Sequence, residues 1–240
     1  MLAEMEAVTQ VWHRVYASQA APDSTVAAVA AVLAAVLVYS PAWRYSRHLV
    51  TIAHEGAHGV LALLVGRRLS GIRLHSDTSG LTISRGRPRG PGVVAMYAAG
   101  YLGPTLFGLL ASALLLGRHA VALLWVVLAL LALLLLQIRN WFGLLTVLGT
   151  GLVVFGVSWW VPERGQSAFA YLIAAFLLLG APRPVLELQA QRRRRRAPRS
   201  DADELARLTG LPGLLWVGVF LLATVGSLAL GTWWVSAPYR

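Results

Sequence analysis

Seven apolar runs dominate this sequence, near 24–40, 48–66, 92–116, 119–138, 141–161, 167–181 and 212–235. A helix rises 1.5 Å per residue, so about 20 apolar residues cross the ~30 Å hydrocarbon core of a bilayer. The runs therefore predict an all-α polytopic membrane protein with about six to seven transmembrane helices. The first run is Ala-rich and the sixth is short, which keeps six beside seven.

Composition agrees. Hydrophobic residues make up 57% of the 240 and charged residues 13%, against about 45–50% and 25% in soluble domains. Cysteine is absent, which excludes a disulfide framework, thiolate metal ligation and a thiol nucleophile, and leaves imidazoles and carboxylates as the strong metal ligands. All 21 basic residues are Arg. They lie in the gaps between apolar runs, and no aromatic or helical-face pattern accompanies the run Arg192–Arg196. We read that run as a topology signal that also meets anionic lipid, with no nucleic-acid partner.

The gaps have their own character. Residues 1–22 form an N-terminal segment whose Val8, Val11, Trp12 and Val15 recur at helical spacing, as in an amphipathic helix lying on the membrane surface. The integral membrane domain is expected over 23–240. Within it, residues 71–85 alternate around Ser76–Gly80 and predict a short membrane-associated β-hairpin. An Arg-rich cytoplasmic loop is expected over 182–211, its end opening as a helix with Ser200 or Asp201 as N-cap. If the N-terminus is cytoplasmic and every run crosses, the inside segments carry 16 Arg and the outside segments 5, as the positive-inside rule asks. This predicts a multi-pass protein of the cell membrane with its N-terminus in the cytoplasm. No internal repeat supports a duplicated transporter.

Chemistry concentrates in His54-Glu55-Gly56-Ala57-His58, an H-E-x-x-H inside the second run. Chance occurrence is on the order of 0.004 per chain of this composition. On a helix the two imidazoles share a face and can hold one Zn²⁺, with Glu55 as general base beside it. Ionisable groups in hydrocarbon cost ~2.5–3.5 kcal/mol each, a cost that a bound cation offsets. A catalytic zinc needs a third protein ligand. His48 falls on the opposite side of the helix, His75 and Asp77 lie in the hairpin, and His13 and His119 sit at segment edges. Glu163 and Glu187 have no context that suggests ligation. Asp201, in the cluster with Asp203 and Glu204, is the best placed. Asn140 is a poor zinc ligand and better suited to hydrogen-bond a substrate backbone.

These residues carry a resemblance. H-E-x-x-H in an early membrane helix, then strands, then a helix bundle is similar to the site-2 protease family of intramembrane zinc metalloproteases. His54–His58, Arg139-Asn140-Trp141-Phe142-Gly143, and Ser200-Asp201-Ala202 through Thr209-Gly210-Leu211-Pro212 to Trp216 resemble its M50B-like subgroup. The resemblance implies a zinc metallopeptidase that cleaves membrane-embedded or membrane-proximal protein substrates, transmembrane helices among them, within or near the lipid bilayer. Two departures stand out. Phe142 occupies the place where better-known members carry the third ligand, an Asp, and Phe107 stands where an Asn follows Gly103-Pro104. Either Asp201 replaces the missing ligand or the chain is an inactive relative that binds or regulates helices; a transporter using the same polar cluster is the remaining alternative.

Overall fold

The computed structural model describes residues 9, 12, 13, 15–194 and 200–240. The expected amphipathic helix over 1–22 lies in large part outside the described residues, as do Arg195 and Arg196. Nine α-helices and one hairpin follow in the described chain: α1 (Ser24–Tyr39), α2 (Trp43–Leu64), β1 (Arg68–Leu74), β2 (Gly80–Arg85), α3 (Pro91–Leu116), α4 (Ala120–Leu135), α5 (Trp141–Trp160), α6 (Glu163–Gly180), α7 (Pro182–Arg193), α8 (Asp201–Thr209) and α9 (Gly213–Val235), closed by a 3₁₀ turn, Ala237–Tyr239.

Every apolar run became a helix, but not every helix is long and apolar enough to cross a membrane. Four segments are long and apolar enough: α3, α5, α6 continuing through α7, and α9, with a fifth if α1 and α2 count as one bent span. This corrects the count of six to seven. α1 and α2 meet at 98°, broken at Ser40-Pro41-Ala42, where the hydroxyl of Ser40 accepts from Ala42 N–H at 3.1 Å and Ser46 Oγ donates to Leu37 O at 2.7 Å across the bend. α4 has 16 residues and reaches only ~24 Å. α5 carries Trp141 and Trp160, both more than 70% exposed, at its two ends, about 30 Å apart, a spacing that suits aromatic side chains at the two bilayer interfaces.

The hairpin pairs antiparallel with Ile72 opposite Thr82 and Leu74 opposite Gly80. Its turn is held by Ser79, whose N–H and hydroxyl donate to Asp77 Oδ1 at 3.0 and 2.6 Å. The register shifts between Leu69 and Gly71; Gly71 takes φ 144° and lies against Arg139, a bulge that only glycine adopts without strain. The other edge of β1 is also occupied. Ile72 N–H donates to Gln137 O at 2.8 Å and Ile72 O accepts from Arg139 N–H at 2.9 Å, so the α4–α5 connection lies alongside β1.

The expected loop over 182–211 is largely helical. α7 extends α6, and α8 begins at a capping box in which Ser200 and Asp203 satisfy each other's backbone N–H groups. Ala202 and Leu205 of α8 pack with Val185 and Leu188 of α7 and with Val217 and Phe220 of α9. That cluster anchors the N-terminus of α8 next to α2 and α3.

Candidate metal centre

Helical spacing places His54 and His58 one turn apart on α2, their Nε2 atoms 3.1 Å from each other. From the far end of the sequence, the first residue of α8 closes the set. Asp201 Oδ2 lies 3.2 Å from His54 Nε2 and 3.3 Å from His58 Nε2. Ligand bonds of about 2.0 Å in a tetrahedron put ligand atoms about 3.3 Å apart. The three donors therefore stand at spacings that fit a zinc tetrahedron.

The surroundings prepare these donors. His58 Nδ1 lies 2.7 Å from Met96 O; donating its proton there leaves Nε2 with its lone pair toward the centre, the arrangement that metal-ligating histidines use. The His54 ring meets the edge of Tyr101 at 4.9 Å, and Tyr101 stacks on Phe220. Gly100 on α3 supplies the room: a Cβ there would lie 2.6 Å from His54 Nε2. Gly103, a turn further on, lets α3 press on Ala53 and Ala57.

Glu55 is 5% exposed and points to the hairpin. Thr82 Oγ1 donates to its Oε2 at 2.6 Å, and a Cβ at Gly80 would come within 2.5 Å of its Oε1. Asn140 lies outside this cluster. Its side chain pairs with the backbone of Leu74, Oδ1 accepting at 3.1 Å and Nδ2 donating at 2.6 Å, and so it extends the strand-like pairing along β1.

Three of the other acids are engaged elsewhere. Glu187 receives Trp43 Nε1 at 2.8 Å and pairs with Arg47 and Arg183, Asp203 serves the helix cap and pairs with Arg192, and Glu204 pairs with Arg207. Among the described residues, His54, His58 and Asp201 are the one group of three or more His and acid side chains placed to hold a metal ion. Sequence reasoning missed Gly100, Thr82 and Gly80. Their only signal, a Gly100-x-x-Gly103 spacing in α3 and a polar alternate residue in β2, acquires meaning when the helices and hairpin meet.

A family model described as Peptidase M50B-like matches residues 26–231, which takes in the histidines, the hairpin and Asp201. The chain belongs to the M50B-like peptidase family. Comparison with curated proteins and with solved structures gives no match. Membership in this peptidase family implies zinc, and the two imidazoles and one carboxylate at tetrahedral spacing are a donor set that fits it. Several long apolar helices accord with a multi-pass membrane protein.

Proposed function

We propose that this protein is a zinc-dependent intramembrane peptidase that hydrolyses peptide bonds of membrane-embedded or membrane-proximal proteins. One observation carries the proposal: three donors from two helices, 147 residues apart at their extremes, meet at the edge lengths of a zinc tetrahedron. When bound, zinc supplies Lewis acidity toward water and toward a peptide carbonyl. His54, His58 and Asp201 hold it. Glu55 takes a proton from the attacking water as the new C–O bond forms, and returns it to the amine nitrogen as the C–N bond breaks.

Substrate must reach this site in extended form, because a helix hides its carbonyls in hydrogen bonds. The hairpin offers an edge for it. Ile72 and Leu74 turn their backbone groups toward residues 137–140, so their cross-strand partners Thr82 and Gly80 turn theirs outward. Among the described residues nothing pairs with those outward groups, and they lie beside Glu55. An extended substrate strand pairs there. Asn140 contributes by fixing β1 from behind, the form in which a role toward substrate backbone fits its contacts. A chain lacking residues 72–84 that kept both zinc and full cleavage would remove this step.

We further infer that the end of the molecule holding the metal centre faces the cytoplasm. Of the seventeen described arginines, Arg118, Arg164 and Arg240 lie at the opposite end and fourteen at the metal-centre end, a bias that fits the positive-inside rule. Gln19 N–H donates to Arg118 O and Tyr239 OH to Pro22 O, so residues 19–22 belong to the Arg-poor end. The inference puts that stretch outside, opposite to the side expected when the first two apolar runs are taken as separate crossings. With no native cysteine, single cysteines at Ser18 and Ser79 test it directly: an impermeant maleimide should label Ser18→Cys in intact cells and Ser79→Cys only after permeabilisation.

Cleavage is tested with purified protein in proteoliposomes against a panel of single-span reporter proteins. Wild type should cut at least one reporter and lose that activity to a chelator. Glu55→Gln should keep zinc and cut none. Equal cleavage by wild type and Glu55→Gln would defeat the peptidase reading.

A further inference from the structure

The geometry points to Thr82, with Gly80 beside it, as the device that positions the Glu55 carboxylate, so that the strand edge receiving substrate also sets the proton carrier. This inference rests on the peptidase reading and deepens it.

A carboxylate has two oxygens, and proton transfer needs one of them free and aimed. The Thr82 hydroxyl has a single proton. Its two nearest acceptors are Glu55 Oε2 at 2.6 Å and Glu55 O at 3.1 Å. The peptide oxygen is already the acceptor of a helical hydrogen bond, and the carboxylate oxygen is both closer and charged, which makes it the stronger acceptor. Oε2 is therefore occupied. Oε1 makes no hydrogen bond among the described residues and faces Gly80, where a side chain would collide with it: a Cβ would come within 2.5 Å of Oε1 and 2.6 Å of Cδ. Gly80 thus keeps clear the space that Oε1 fills, and Thr82 fixes the carboxylate from its other oxygen.

The placement couples two functions. Thr82 and Gly80 are alternate residues of β2, and both turn side chain or Cα toward α2 while their backbone groups face the open edge. A strand seated on that edge stiffens the two residues that hold Glu55. Glu55 is one residue from a metal ligand on a rigid helix, so its backbone is fixed; the torsions of its side chain remain to be set, and the hairpin sets them. Thr82 touches no reacting atom and acts through Glu55 as a positioning residue.

The test uses the full-length protein in the same proteoliposome assay, with zinc content, kcat and KM measured for Thr82→Val, Thr82→Ser and Gly80→Ala. Thr82→Val keeps the shape and removes the proton. It should lower kcat about 10–100-fold, part of the ~10²–10⁴ that a positioned acid–base group contributes, with zinc content and KM unchanged. Thr82→Ser keeps the hydroxyl and should restore most of kcat. Gly80→Ala leaves the hydroxyl in place and displaces Oε1, and should lower kcat with zinc retained, which decides the matter if Thr82→Val does not fold. The inference is overturned if Thr82→Val cuts like wild type while Glu55→Gln is inactive, if Val and Ser lower kcat equally, or if Gly80→Ala leaves kcat intact. Cleavage by Glu55→Gln at the wild-type rate would instead remove the underlying peptidase reading.

Discussion

Gly100 is the position where a single methyl group should do the most damage to the metal centre. Ordinary contact begins at 3.4 Å, and the Cβ of Gly100→Ala would sit 2.6 Å from His54 Nε2 and Cε1 and closer still to His58 Nε2. About 0.8 Å must be found on the His54 side alone. α3 cannot retreat cheaply, because Val93 and Met96 are packed against Ala62 of α2 on one side of Gly100 and Gly103 is pressed on Ala53 and Ala57 on the other. Overpacking of this kind costs ~1–3 kcal/mol. If the imidazoles yield, the 3.1–3.3 Å triangle of donors opens, and the same energy appears as a ~10–100-fold loss of metal affinity, the range found when the groups that orient metal ligands are disturbed. Competition with a chromophoric chelator gives the zinc affinity, and the visible spectrum of the cobalt-substituted protein reports the geometry. Gly100→Ala should bind zinc at least tenfold more weakly, with a cobalt spectrum altered from wild type. Wild-type affinity with an unchanged cobalt spectrum would refute the reasoning, since it would mean that the donors do not stand where Gly100 is needed.

Three further outcomes follow from the same contacts. Asn140→Leu leaves the N–H and C=O of Leu74 without their partners, at ~1–3 kcal/mol for each buried group left unsatisfied; amide exchange at Leu74 should accelerate while zinc content holds. Asp203 has its carboxyl held below its ordinary value: burial opposes this, and Ser200 and Arg192 outweigh it. A depressed folded pKa gives stability that is full above the unfolded value of about 3.9 and is lost as pH falls through the lower folded value, so Asp203→Asn should flatten the acid side of the thermal-midpoint profile below pH ~4. Glu187→Gln weakens the hub that ties α2 to α7 through Trp43 and Arg47, with Arg183 pairing beside it within α7, and should lower the thermal midpoint without changing zinc content.

What the sequence shows depends on how local the determinant is. The histidine pair is legible because four residues on a helix are one turn, and α8 is legible because Ser200 and Asp203 form its cap within three residues. The hairpin shows in the alternation around Ser76–Gly80. The helical runs show too, since apolar composition is read residue by residue. Whether a run crosses is a different matter. The bend between α1 and α2 has Pro41 as its single local mark and is held by contacts such as Ser46 with Leu37. Asp201 could be proposed from its cap, but its approach to α2 is set by Ala202 and Leu205 packing on α7 and α9. The partner of Asn140 is 66 residues away, and the hold of Thr82 on Glu55 requires the hairpin to fold back on α2. None of these distances is written in any spacing.

The central claim is that His54, His58 and Asp201 together bind zinc. X-ray absorption at the zinc edge, on wild type and Asp201→Ala purified under metal-replete conditions, tests it most directly. We expect about one zinc per chain in wild type, with two imidazole nitrogens and a carboxylate oxygen at about 2.0–2.2 Å, and loss of the metal or of that oxygen in the variant. Metal-free wild type, or a coordination shell that Asp201→Ala leaves unchanged, would contradict the account.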